Sequence, residues 1–378
     1  MIVRKAFRYL LRPNRKVAIL FSQFAGACRW IYNQGLEKRS KAWDEEKRSV
    51  TLFEQNNELV DLKRSEETSW LADVHSQVLQ QALGDLNGAF ESFFRRCKAG
   101  ENPGYPRFRC KGDRDSFRYP QGVKVEGDRV YLPKIGWVRF RKSREIEGTI
   151  KQTTVIREGG RWYISFSCEI EKEIEDFSRS PSIVGIDMGL ENFAIIATQN
   201  GISEEGNPKY LRKEIDHLRF LSRQLSKKQK WSQNWKKTKA KLQLFHARVR
   251  NKRRDFLHKC STKLVKSHDV IVVETLKVKA LIEKSTRRMA RAIADAGWRQ
   301  FLQQLKYKCE HAGKKFLEAG EWFPSTKQCH RCGKRNEISL GDRIYKCACG
   351  LEMHRDHNSA LNLRAVGTTG IKACGAAP

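Results

Sequence analysis

The stretch GIDMGLENFAI, residues 185–195, places an acid where a strand ends. Ile183, Val184, Gly185 and Ile186 lead into Asp187 as a strand-like run, and a second apolar run follows from Phe193. A carboxylate at such a place is costly unless something cationic meets it. What the rest of the chain brings to Asp187 decides the reading.

Strand-like runs at 183–187, 192–199 and about 208–213 predict a three-stranded antiparallel meander. The basic segment 214–268 reads as one or two helices, with WSQNW at 231–235 as the break. HDVIVVETL, 268–276, is a continuous β-branched run, typical of strands buried on both faces. A helix at about 286–312, a strand at 315–320 and a last helix from near Asp356 complete the order. Meander, helix, buried strand, helix, strand is an α/β order of the ribonuclease-H kind.

Three acids stand out in that order. Asp187 ends the first strand, Glu274 ends the fourth, and Asp356 opens the last helix. They lie 87 and 82 residues apart, so no local motif joins them. In this topology the first and fourth strands are neighbours and the last helix packs beside them, so the carboxylates converge. Converging acids raise one another's pKa, and a divalent cation reverses that penalty. Mg²⁺ prefers carboxylate and water oxygens. Two such ions about 3.5–4 Å apart bind the attacking and leaving oxygens of a phosphodiester. Asp187 is expected to bridge both ions, with Glu274 on one and Asp356 on the other. Each acid has a plainer explanation alone: a turn at Asp187, pairing of Glu274 with Lys277 or Lys279, a helix cap at Asp356. Three acids at three such places favour the joint reading.

CHRCGKRNEISLGDRIYKCACG, 329–350, carries Cys329, Cys332, Cys347 and Cys349. The spacing is Cys-x2-Cys, fourteen residues, then Cys-x-Cys, each pair followed by glycine. Four thiolates suit one tetrahedral, structural Zn²⁺. The second pair is one residue shorter than the commoner form, which leaves its knuckle geometry open. His330 and His354 are spare donors. Eleven cysteines, an odd number, argue against a disulfide framework.

The chain has 378 residues and a net charge of +31, from 74 basic and 43 acidic residues. Such an excess calls for a polyanion, and nucleic acid is the obvious partner. No apolar run approaches the roughly 18–20 residues of a spanning helix. MIVRKAFRYLLRPNRK, 1–16, is too broken by arginine for a signal peptide. The expected location is cytoplasmic and nucleoid-associated. Around Trp231 and Trp235, and through Arg248, Arg250, Lys252, Arg253 and Arg254, basic residues are placed to neutralise phosphates. The tryptophans either stack on bases or sit in the core.

The N-terminal half is organised differently. Residues 1–12 read as a basic strand and 14–104 as mostly helical. In SQVLQQALGDLNGAFESFFRRC, 76–97, Val78, Ala82, Leu86, Ala89, Phe90 and Phe93 make one apolar face. Gln77, Gln80 and Gln81 lie on the other, as nucleic-acid contacts or merely as a wet face. From 104 to about 178 a period-two pattern with EGD and EGG turns predicts a small barrel-like β domain. It takes in the first strand, with the helical block inserted. FSRSPS, 177–182, reads as a linker.

The combination IVGIDMGLENFAI, RRDFLHKCSTKLVKSHDVIVVETL, FPSTKQCHRCG and CACGLEMHRDHNSALNL resembles the TnpB (OrfB) proteins of bacterial insertion sequences, related to type V CRISPR nucleases. The likeness is strong over 180–366 and looser before it. It implies an RNA-guided DNA endonuclease with a RuvC-type two-metal site. Asp187, Glu274 and Asp356 would hold two Mg²⁺ and the four cysteines one Zn²⁺. It implies a wedge-like β-barrel (1–13 and 104–180), a helical recognition domain (14–103) and a RuvC-like nuclease domain (181–322 and 351–367). A zinc ribbon (323–350) and a flexible tail (368–378) complete it. The implied partners are a guide RNA from the transposon end and double-stranded target DNA bearing a short adjacent motif, with no membrane. Gln77, Gln80, Ser116 and Phe117 are candidates for reading that motif. Many relatives carry an acid where this chain has His354. Three alternatives remain: an unguided RuvC-like nuclease or recombinase, a compact type V CRISPR effector, and a binding protein that does not cut.

Overall fold

The computed structural model describes residues 1–112, 115–172, 181–339 and 341–374, with side chains only to 369 in the last helix. The first four residues of the expected linker, 177–180, lie outside the described residues. The chain forms two compact units, Met1–Lys172 and Glu173–Pro378.

The first unit begins with β1 (Ile2–Arg12), which Pro13 ends. Asn14 then caps α1 (Arg15–Glu46) by accepting from the Val17 N–H at 2.9 Å. Thr51 and Glu54 form a reciprocal capping box on α2 (Leu52–Arg64). A 3-10 helix, Glu66–Asp73, leads to α3 (Ser76–Lys98), where the apolar face read from the sequence is buried through Val78, Ala82, Leu86 and Phe90. Six strands follow: β2 (Ser116–Tyr119), β3 (Lys124–Glu126), β4 (Arg129–Leu132), β5 (Gly136–Arg141), β6 (Thr149–Glu158) and β7 (Arg161–Glu171). With β1 they form one antiparallel sheet, in the order β2-β6-β7-β1-β5-β4-β3. The sheet is open along β2 and β3, so it is a half-barrel. Sheet and helices share one core, where Phe21 meets Trp162 at 5.2 Å and Phe24 meets Phe117 at 5.3 Å between ring centres.

The second unit is built on a five-stranded sheet, order β10-β9-β8-β11-β12. β8 (Ile183–Met188), β9 (Asn192–Thr198) and β10 (Gly201–Gly206) form the antiparallel meander. The third strand is therefore 201–206, not 208–213. The turn through Asn200 and Gly201 folds it straight back, and the chain from Tyr210 is already helical as α4 (Tyr210–Ser226). α5 (Gln233–Ser267) follows, then β11 (Val270–Glu274), buried through Val273 and parallel to β8. After α6 (Val278–Lys284), the single helix expected at 286–312 is two: α7 (Arg287–Ala296) and α8 (Trp298–His311). Gly297, in the left-handed region at φ +74°, separates them. β12 (Lys315–Ala319) completes the sheet, parallel to β11. The insert carries a small hairpin of β13 (Ile344–Lys346) and β14 (Glu352–His354). α9 (Arg355–Cys374) runs on past the position where the tail was expected to begin.

α5, α7 and α8 cover one face of this sheet with Leu257, Leu264, Ile293, Phe301 and Leu305. α9 covers the other, against Ala197, Val270 and Val272. Its approach depends on Gly185. A Cβ there would lie 2.3 Å from both the Ala360 carbonyl oxygen and the Arg364 nitrogen. Gly185 and Asp187 point to the same side of β8, because side chains alternate along a strand. The glycine thus brings α9 onto the face that presents Asp187.

Candidate active site

β8 and β11 run parallel with Ile186 opposite Val273. Asp187 and Glu274 are each the next residue, so the two acids leave the same end of adjacent strands. The hydroxyl of Ser359 on α9 donates to Asp187 Oδ1 at 3.1 Å. Ser359 stands one turn after Asp356 on the same helix face. Two strand ends and a helix start therefore bring the three predicted acids together.

The electrostatics agree. The Asp187 carboxyl is pushed up to about 8, first by burial, then by the charges of Glu274 and Asp356. Ser359 and Arg355 oppose the shift. Burial also raises Glu274. The plainer explanation for Glu274 fails, because Lys277 pairs with Glu321 and Lys279 lies 3.8 Å from Glu283. Asp356 Oδ1 accepts from Arg355 Nε at 3.2 Å. Oxygen-only donors at mutually repelling carboxylates suit a hard divalent cation, which relieves the repulsion.

The sulfur cluster is more tightly drawn. Among the described residues, the four cysteines are the one metal-ligating set whose donor atoms all lie within 4.8 Å of one another. Cys329 Sγ is 3.7 Å from Cys349 Sγ, and Cys332 Sγ is 3.6 Å from Cys347 Sγ. A tetrahedral ion with bonds of about 2.3 Å to sulfur requires S···S separations near ~3.8 Å. Each sulfur of the short Cys-x-Cys pair thus faces one sulfur of the longer pair at that spacing. Gly333 and Gly350 turn the two knuckles at φ +75° and +83°. The Cys347 thiol is lowered to about 6, first by the Cys349 backbone N–H and then by the Asn336 side chain.

A link between the two sites escaped the sequence reading. The fully buried Asn358 on α9 accepts from the His330 backbone N–H at 3.0 Å and donates to the Gln328 carbonyl at 2.6 Å. Asn362 donates to the carbonyls of Ser325 at 2.7 Å and Gln328 at 2.6 Å. The helix that bears Asp356 and Ser359 is thus bonded to the knuckle that bears Cys329 and Cys332. Only the recurrence of Asn358, Ser359 and Asn362 on a helical period hinted at this in sequence.

The expected nucleic-acid contacts fare unevenly. Phe117 is 3% exposed and packs among Phe21, Phe24 and Tyr119, so its ring is core rather than a reader of bases. Ser116 lines a shallow recess with Gln81 and Arg118, whereas Gln77 and Gln80 do not. Arg248 and Arg250 are exposed. Lys252 pairs with Glu214 at 3.2 Å, and Arg254 Nε reaches His258 Nε2 at 3.5 Å. Arg253 bonds the Ala294 carbonyl at 3.2 Å and lies 3.5 Å from Asp295, so it ties α5 to α7.

A five-stranded α/β sheet with this acid placement and a cysteine-bearing insert defines the RuvC-like class. The chain belongs to the TnpB (OrfB) family. The OrfB profile described as a probable transposase matches residues 165–285, and a Cas12f1-like TNB domain profile matches 298–363. A helix-turn-helix profile of the same OrfB group matches 1–48, which here fold as β1 and one long α1. A relative from Escherichia coli K12, "Putative RNA-guided DNA endonuclease InsQ", is 36% identical over 98% of this chain and 94% of its own length. A Streptomyces pristinaespiralis protein of the same description is 35% identical over 99% of this chain and 91% of its own. The fold is similar to that of a Cas12f1 protein solved with guide RNA and target DNA. The TM-score is 0.59 at 15% identity, covering 93% of this chain and 83% of that one.

Proposed function

We propose that this chain is an RNA-guided DNA endonuclease encoded by a transposable element. Its guide is an RNA from the transposon end, and its target is double-stranded DNA beside a short motif. The placement of Asp187, Glu274 and Asp356 at one corner of the sheet carries the proposal, in a chain 36% identical to a relative of that name. The first unit supplies the wedge-like sheet and the helical recognition surface. No helix among the described residues is long and apolar enough to cross a membrane.

Asp187, Glu274 and Asp356 would hold two Mg²⁺ ions. Bound there, the ions supply an activated water and neutralise charge on the scissile phosphate. The residues supply the rest. Ser359 fixes the Asp187 carboxyl by donating to Oδ1. Arg355 offers Asp356 a cation at 3.2 Å. The four cysteines would hold a structural Zn²⁺. Asn358 and Asn362 pass its rigidity to α9.

The test is direct. The gene is expressed with its native flanking DNA, and the RNA that survives high-salt washing is sequenced. One abundant RNA from the element's end, running into flanking sequence, supports the proposal when DNA matching that tail is cut in Mg²⁺. No discrete RNA, with cutting unaffected by added RNA, overturns it in favour of an unguided nuclease.

A further inference from the structure

α4 and α5 form an antiparallel arm whose far end has no core. Between Leu218 and Val249 no residue is buried. From His217 to Arg254 the chain carries fourteen lysines and arginines and no acid. The far end of the arm lacks the tertiary packing that gives most helices in proteins their stability, and like charges along it repel. A polyanion laid along the arm removes that repulsion.

The tip is more than charge. Ser232 caps α5 by accepting from the Trp235 N–H at 3.1 Å, and the Ser232 N–H donates to the Gln229 carbonyl at 3.2 Å. This braced turn holds Trp231 at φ +71°, the left-handed region that a residue bearing a Cβ rarely adopts. The conformation turns the indole outward, 65% exposed. Trp235 packs against it at 5.3 Å between ring centres, tilted by 49°. That gap is too small for a base, which needs about 7 Å, two stacking intervals of ~3.4 Å. A base would therefore stack on the exposed indole of Trp231 rather than between the two rings. Lys230 lies 5.7 Å from the Trp231 ring and Lys239 4.9 Å from the Trp235 ring, placed for the phosphates that flank a stacked base.

We propose that the Trp231–Trp235 pair is a stacking platform for an unpaired base of RNA, with the lysines of the arm gripping its backbone. An indole face accepts any base, and a base must be unpaired to reach it. RNA loops and ends offer splayed bases, whereas target DNA is duplex until it is opened. The occupant is therefore the guide, and the proposal rests on the RNA-guided reading above.

The experiment compares the full-length protein with Trp231→Ala/Trp235→Ala. Three labelled probes of one length are titrated over a range of salt: an unstructured single-stranded RNA, the same sequence as single-stranded DNA, and duplex RNA. The double variant should bind the single-stranded RNA roughly ten- to a hundredfold more weakly. Its affinity for duplex RNA and its salt slope should hold, because no phosphate contact is lost. Trp231→Phe, which keeps an aromatic face, should retain most of the affinity. Unchanged single-strand binding, or an equal loss on duplex RNA, overturns the platform. A greater loss on single-stranded DNA overturns the RNA assignment and gives the platform to a DNA strand. If the parent protein carries no discrete cellular RNA, the guided reading falls and the proposal with it. If it carries one and the double variant binds as tightly, only the platform falls.

Discussion

The two ligand clusters of the second unit sit at opposite ends of one chain of contacts, and they differ in kind. The cysteines come from a 21-residue segment and already lie at the sulfur spacing an ion demands. The acids come from two strands and a helix spread over 170 residues, and Asp187 holds a proton up to about 8. The difference follows from the work. A structural ion must be enclosed by its ligands, whereas a catalytic ion must keep room for water and phosphate. The sulfur site is closed by local turns. The oxygen site is assembled by tertiary packing, through Gly185 and α9.

Four substitutions probe that contrast. Asp187→Ala removes the acid proposed to serve both catalytic ions. DNA cutting in Mg²⁺ should fall by roughly a thousandfold or more, with target binding kept, as a gel-shift and cleavage pair will show. Continued cutting would place the chemistry elsewhere. Cys329→Ser should abolish zinc binding by elemental analysis and unfold the insert, because a structural zinc couples metal binding to folding. Cutting should be lost as well, since the knuckle is bonded to α9; a zinc-free protein that cuts normally would separate the sites.

Asn358→Ala tests the link itself. Zinc content and DNA affinity should stay, while single-turnover cutting slows by roughly ten- to a hundredfold. A merely structural asparagine would lower the melting temperature and leave the rate. The smallest effect concerns pH. An unfolded aspartate loses its proton near ~4, whereas folded, metal-free Asp187 keeps it to about 8. The folded state binds the extra proton across that window, so the metal-free protein loses stability as pH rises from 4 to 8. In EDTA, the melting-temperature advantage of Asp187→Asn over the parent should grow by a few degrees between pH 5 and pH 8. Added Mg²⁺ should raise the parent and not the variant.

Sequence made the site legible where chemistry sits on a pattern. Asp187 and Glu274 close apolar strand runs, and cysteine spacing is local. It failed where structure depends on one weak signal. GISEEG, residues 201–206, is a polar edge strand whose outward glutamates hide its alternation, so β10 was missed. One glycine, Gly297, divides a periodic run into α7 and α8. Arg253 and Phe117 looked like ligand contacts because burial and pairing across a fold leave no mark on neighbouring residues. Ser359 and Asn358 were unread for the same reason: their partners lie 172 and 28 to 30 residues away.

β1 lies at the centre of its sheet, yet its partners are among the last strands of that unit to be made. Ile2 pairs with Glu171 and Leu10 with Tyr163. At about 5–20 residues per second, the first strand leaves the ribosome several seconds to half a minute before anything can pair with it. Through that interval Val3, Phe7, Tyr9 and Leu11 have no sheet to enter. Arg4, Lys5, Arg8 and Arg12 alternate with them, and charges so placed keep a waiting strand from joining its copies on neighbouring nascent chains.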